Sequence, residues 1–182
     1  MLKDYYTFKS PKLTIQVLTI AALMLALDII LWKISIGPSY FQIALGFISM
    51  GLMGYFLGPW LAGTVELMSD FLNSTVFGGS STFAWQFLIG AFLGGMVYGV
   101  LLHGRKWSWL NIVVAHLIIL GPISLLLDTT IVSFVYHIDW HVVFMTRAVR
   151  NFFTFFIETF VLISILKGIE ANKFLREIKH NL

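Results

Sequence analysis

The sequence predicts an all-α integral membrane protein with six transmembrane helices and both termini in the cytoplasm. Three observations carry this. Of 182 residues, 58% are hydrophobic and only 12% are charged, about half the charged share of a soluble domain. Apolar runs near the roughly 20 residues needed to cross a bilayer recur along the chain, and they do not alternate with period two, which disfavours a β-barrel. Lys and Arg cluster in alternate connections, the mark of cytoplasmic loops.

The predicted spans are 13–32, 41–58, 60–77, 84–102, 109–136 and 142–166. The second and third are short and joined by a tight Gly58-Pro59 turn. The fifth contains Gly121-Pro122, where a kink or break is expected. The N-terminal tail (1–12) carries Lys3, Lys9 and Lys12, the loop after the fourth span carries Arg105 and Lys106, and the C-terminal tail (167–182) carries Lys167, Lys173, Arg176 and Lys179. With six spans these segments lie on one side, and the opposite loops hold only Lys33. The first twelve residues are mixed and the next run is long enough to span, so no cleavable signal peptide is expected. One membrane domain over 1–182 is the expected organisation, with the basic, amphipathic C-terminal tail resting on anionic headgroups or binding a partner.

Several functions are excluded by what the chain lacks. Zero cysteines remove disulfides, thiol catalysis and thiolate metal sites. There is no GxxxxGK[ST] phosphate loop, no HExxH and no Ser-His-Asp arrangement, so no enzyme activity and no ATP hydrolysis is expected of this chain. HIDWH places His137 and His141 four apart, but a third metal ligand is lacking.

The charges inside the apolar runs are the informative residues. Asp28, Glu66, Asp70, Asp128, Arg147, Arg150 and Glu158 fall in or near spans, where a charge costs roughly 2.5–3.5 kcal/mol at a helix centre. Arg147 and Arg150 share a helix face and lie about 7–12 Å below the outer end of the sixth span at 1.5 Å per residue. They pair with Asp70 or Asp128, snorkel to the interface, or receive an anionic solute with more than one acid group, for which Arg is suited. Glu66 and Asp70 form an i, i+4 carboxylate pair. Phe83 and Trp85 at the outer start of the fourth span, and Tyr40, Phe41 and Gln42 at that of the second, are either interfacial belt residues or a stacking wall for a planar ring. Ala22-Ala26, Gly51-Gly54-Gly58, Gly90-Gly94 and Gly95-Gly99 let helix backbones approach closely. They serve the bundle core or, where such a face points outward, a docking surface.

Four stretches carry a family resemblance: Ala22-Leu-Met-Leu-Ala26, GFISMGLMGYFLGPWLAGTVELMSDFL (46–72), GAFLGGMVYGVLL (90–102) and RAVRNFFTFFIE (147–158). Together they resemble the substrate-binding S components of energy-coupling factor (ECF) vitamin transporters, most of all the folate-specific type. Two positions depart from that pattern: Asp128-Thr129 stands where Asn-Thr is common, and Ser80-Ser81-Thr82 replaces a Pro-Gly. The resemblance implies a bacterial plasma-membrane protein that captures folate from outside. It would then dock on an EcfT-type transmembrane coupling protein driven by two EcfA-type cytoplasmic ATPases. It implies Arg147 and Arg150 on the glutamate tail, Asp70 or Asn151 on the pterin edge and Trp85, Phe83 or Tyr40 on the rings, with Gln42 and Asp128 also at the ligand and Ala22 and Ala26 at the coupling protein. Pantothenate, a pyridoxine-like ring or a thiamine-related ring are the alternative ligands, and a non-transport structural membrane protein is the alternative of another class.

Overall fold

The computed structural model describes residues 8, 10–36, 43–77, 85–104, 108–173 and 177. Tyr40, Gln42 and Phe83 lie outside the described residues, as do Arg105, Lys106, most of the N-terminal tail and most of the chain beyond 173.

Helix α1 (Ile15–Lys33) starts at Thr14, whose hydroxyl accepts the Val17 N–H at 3.3 Å, an N-cap that satisfies one of the free donors of the first turn. It leads into a two-residue antiparallel ladder of β1 (Ser35–Ile36) with β2 (Ile43–Ala44). This ladder is the one departure from the all-helical expectation among the described residues. Helix α2 (Gly46–Thr75) is broken at Gly58, with φ 73° and ψ 177°, a conformation open to glycine and costly for other residues. Pro59 follows, at a first-turn position where its missing N–H is harmless. The break is a reversal of direction. Asp28 of α1 accepts hydrogen bonds from both Ser49 and Ser69, which a straight helix would hold about 30 Å apart. One carboxylate reaches both because arms 46–57 and 59–75 fold back on each other, as the Gly58-Pro59 turn predicts.

Helix α3 (Phe87–Leu102) packs across both arms through its glycines. A Cβ at Gly99 would lie 2.3 Å from Pro59 Cα, and one at Gly95 2.7 Å from the Ala62 carbonyl oxygen. Backbone meets backbone here, the contact that small residues allow between helices in lipid.

The fifth apolar run is continuous but not uniform. It comprises α4 (Trp109–Ile118), a π-helical stretch Ile119–Asp128 and α5 (Thr129–Tyr136). The expected kink at Gly121-Pro122 takes this form: Pro122 cannot donate to the helix ladder, and the wider turn absorbs the defect. His137 closes α5 in the left-handed conformation, φ 54°. Asp139 then caps α6 (Trp140–Ala171) by accepting from His141 N–H at 2.8 Å and Val142 N–H at 3.4 Å. The HIDWH stretch is thus a helix connection. Helix α6 runs five residues past the expected end of the sixth span, through Lys167 to Ala171.

Met53, Leu57, Ala62, Ile112, Ala115 and Leu162 are fully buried at the centre. The outside is the reverse of a soluble protein's: Phe134, Phe152, Phe156, Phe160, Leu18 and Leu23 all project outward. Ile15–Lys33, Gly46–Thr75, Trp109–Tyr136 and Trp140–Ala171 are each long and apolar enough to cross a membrane, and Phe87–Leu102 is a shorter apolar helix. Exposed aromatic and aliphatic side chains on that scale fit a hydrocarbon surround.

Candidate functional site

Helix α6 turns one polar line toward the bundle: Arg147, Asn151, Thr154 and Glu158 recur at three- and four-residue spacing, and Asn151 and Thr154 are buried. Around its N-terminal end the structure brings several of the expected residues together. Arg147 Nη1 lies 3.7 Å from Asp128 Oδ2, with 26% and 23% of the two side chains exposed. Asp128 ends the π-helical stretch and rests against α3, where a Cβ on Gly90 would sit 2.7 Å from Asp128 Oδ1. Asp70, half-buried on the second arm of α2, is close enough to act electrostatically on Asp128. Arg150, one turn beyond Arg147, is exposed and has no ion pair among the described residues.

The other expected residues divide. Asn151 donates through Nδ2 to the Leu120 carbonyl at 2.8 Å and to Ser124 Oγ at 3.0 Å. Its amide nitrogen therefore holds the π-helical stretch against α6, and only its oxygen stays available. Trp85 is exposed at the start of α3, 62% accessible, and stacks on no ring among the described residues. Gln86, next to it, has a buried Oε1 with no hydrogen-bond donor. Tyr40, Gln42 and Phe83 lie outside the described residues. Ala22 and Ala26 are both exposed on α1, so this small-residue pair faces outward, unlike the packed glycines of α2 and α3.

Two buried polar groupings went unread in the sequence. Asp28, fully buried, ties α1 to both arms of α2 through Ser49 and Ser69. Further along the bundle, His116 Nδ1–H donates to the Ile112 carbonyl at 3.1 Å, which leaves Nε2 to accept the Tyr98 hydroxyl at 3.0 Å. Glu158 Oε2 stands 3.7 Å from the same Nε2, too far for a hydrogen bond. Glu66 Oε2, Thr154 Oγ1 and Thr159 Oγ1 are also buried, and none has a hydrogen-bond partner among the described residues. The sequence signal for the second grouping was weak, since a lone His in an apolar helix reads as core. Ser49 and Ser69 carry no signal until the hairpin brings them together.

The arrangement pairs a cationic end, with one guanidinium loosely held and one without an ion pair among the described residues, with a polar line leading into the bundle. It has the chemistry to bind an anion. Comparison with known proteins agrees with a transport role. The family model of the ECF transporter substrate-specific component matches residues 16–171. The chain is 28% identical to the folate transporter FolT of Clostridium novyi over 165 residues, 90% of this chain and 95% of that one. It is 24% identical to FolT of Leuconostoc mesenteroides over 158 residues, 84% of this chain and 85% of that one. A crystal structure of FolT bound with folic acid superposes with a TM-score of 0.72 at 20% identity, covering 82% of this chain and 90% of that one, which shows a shared fold. The chain belongs to the substrate-specific components of ECF transporters, multi-pass proteins of the bacterial membrane.

Proposed function

We propose that this chain binds folate at the Arg147 end of the bundle and passes it inward by docking on an ECF coupling module. The observation that carries the ligand reading is the pair of arginines one turn apart on α6, one 3.7 Å from Asp128 and the other without an ion pair among the described residues. Folate ends in a glutamate with two carboxylates, and two guanidinium groups on one helix suit them. The relatives named as folate transporters, and the shared fold with FolT bound to folic acid, support the same choice. Asp70 and the Asn151 oxygen are the acceptors on offer to the pterin N–H edge, and Trp85 is the proposed stacking residue among those described. Phe83, Tyr40 and Gln42 complete the proposed site.

The proposed topology is one membrane domain with six crossings, the reversal at Gly58 dividing α2 into two of them. The basic segments place both termini in the cytoplasm, so the Arg147 end faces out. The partners are an EcfT-type coupling protein, which meets the outward Ala22-Ala26 face, and two EcfA-type ATPases. This chain carries no phosphate loop, so it binds without ATP and cannot pump alone.

The deciding experiment is mass spectrometry of the ligand retained after mild detergent extraction, followed by titration of folate and of pteroic acid, which keeps one carboxylate. Arg147→Ala or Arg150→Ala is expected to weaken folate by roughly ten- to hundredfold, as loss of one or two hydrogen bonds to a charged group implies. Arg→Lys recovers part of that, because an ammonium lacks the two-pronged contact. Equal weakening of both ligands, with lower stability of the empty protein, would assign the arginines to the scaffold.

A further inference from the structure

The geometry points to Asp128 as a placeholder anion. Its carboxylate occupies the Arg147 guanidinium while the site is empty, and an incoming carboxylate has to displace it. The inference rests on the reading that this end of the bundle receives the carboxylates of folate.

Three features of the pair support it. At 3.7 Å, with both side chains about a quarter exposed, Arg147 and Asp128 attract but make no hydrogen bond. The guanidinium keeps its donors for another partner, and Asp128 holds its place by charge. Second, α3 provides a seat. Asp128 Oδ1 lies where a Cβ on Gly90 would stand at 2.7 Å, so the missing side chain makes room for the carboxylate. Third, Asp128 has no second cation to turn to among the described residues. Asp70 on the second arm of α2 is another carboxylate and offers no cation, and Arg147 has Arg150 as its neighbour along the helix.

The consequence is an affinity threshold. A ligand with one carboxylate exchanges one anion for another at Arg147 and leaves Asp128 partly buried without its partner, which is costly. A ligand with two carboxylates makes the same exchange and also engages Arg150. Asp128 thus lowers the affinity for every anion by the same factor, and only the diacid gains a second contact to offset it. It sets how tightly any acid binds by competing with the ligand rather than by touching it.

Two substitutions separate this from a contact or scaffold role. Asp128→Asn removes the competing charge and keeps the shape. Gly90→Ala keeps every charge and crowds the carboxylate out of its seat. Dissociation constants for folate and pteroic acid, and melting temperatures with and without ligand, are measured on the detergent-solubilised full chain. Both variants are expected to bind pteroic acid and folate alike about three- to tenfold more tightly, the scale of a partly exposed ion pair. The preference for folate, set by Arg150, stays as in wild type. Without ligand, Asp128→Asn melts lower than wild type, and its ligand-induced rise in melting temperature is larger. Weaker binding of both ligands by Asp128→Asn, with Gly90→Ala unchanged, would overturn the placeholder and make Asp128 a ligand contact. Wild-type protein that binds neither compound would strike down the folate reading itself, a different pattern.

Discussion

Helices α1 and α2 are both apolar enough to cross a bilayer, yet they lead opposite lives. In the best-fitting membrane window of α2, 72% of residues are buried inside the protein, and in that of α1 only 11% are. Hydropathy reports that a segment avoids water and says nothing about whether lipid or protein surrounds it. What separates the two is side-chain size. Helix α2 has glycine at 46, 51, 54, 58 and 63, and close neighbours fill the space of four of the missing side chains: Trp32 at Gly46, Leu162 at Gly51, Tyr98 at Gly54 and Phe92 at Gly63. Helix α1 has no glycine over Ile15–Lys33, and only Val17 and Asp28 are buried. Asp28 attaches it by hydrogen bonds beside a partly buried face that includes Ile20, Ala21 and Met24, where α2 and α3 attach to each other backbone to backbone.

The strongest way to break the comparison is at the packed seam. Gly99→Val places a branched side chain where even a Cβ would lie 2.3 Å from Pro59 Cα and 2.4 Å from Pro59 N. Backbone cannot swing aside as a flexible side chain does, so α3 has to leave the reversal at Gly58. The expected loss is about 3 kcal/mol or more, seen as a large fall in melting temperature in detergent and loss of ligand binding together. Gly168→Ala is the control, since nothing lies within 4 Å of its Cβ position. It should be neutral or raise stability by up to about 1 kcal/mol through helix propensity.

Next in size is the polar tie. Asp28→Ala leaves Ser49 and Ser69 without their shared acceptor, although Ser49 can still donate to the Gly46 carbonyl at 2.7 Å. Each buried polar group left unsatisfied costs about 1–3 kcal/mol, so roughly 2–4 kcal/mol is expected. The loss should concentrate on α1, with faster proteolysis around residues 10–20 while the α2–α3 seam stays protected. Uniform loss of protection would show that Asp28 supports the whole bundle.

These two cases show what the sequence could and could not reveal. The reversal at Gly58-Pro59 and the irregularity at Gly121-Pro122 were legible because proline and glycine act on their own backbone. The role of Asp28 was hidden, because its partners are 21 and 41 residues away in sequence and only the hairpin unites them. Asn151 was legible as an important residue of the α6 motif, but its nitrogen turned out to hold Leu120 and Ser124. A π-helical turn frees backbone carbonyls that a regular helix would use, and no spacing rule announces that. The Arg147–Asp128 pair was foreseen as one alternative beside snorkelling and a bound anion, and its loose geometry leaves room for an anion as well.

The smallest effect on stability is expected at Ala22 and Ala26, where the comparison becomes sharpest. Both are exposed on α1, while Ala21, one residue away, packs against the core. Ala22→Trp or Ala26→Trp puts an indole on a surface that already displays Leu18, Leu23 and Ile30, so it displaces nothing within the chain. Stability should change by no more than about 0.5 kcal/mol, and folate binding by the isolated protein should match wild type. Ala21→Trp has to force its ring between α1 and the core and should cost about 1–3 kcal/mol. Uptake by the whole transporter reverses the ranking. If the Ala22-Ala26 face receives a coupling helix, close backbone approach is what the small residues supply, and an indole there should abolish uptake while binding persists. Uptake is measured with labelled folate in cells or in vesicles holding all subunits, beside binding by the purified chain. Normal uptake by both variants would leave the face to lipid and move the docking surface elsewhere on the bundle. A fall in binding alongside uptake would mean that α1 moves as part of the ligand site, and that its sparse burial belongs to a working element as well as to a docking one.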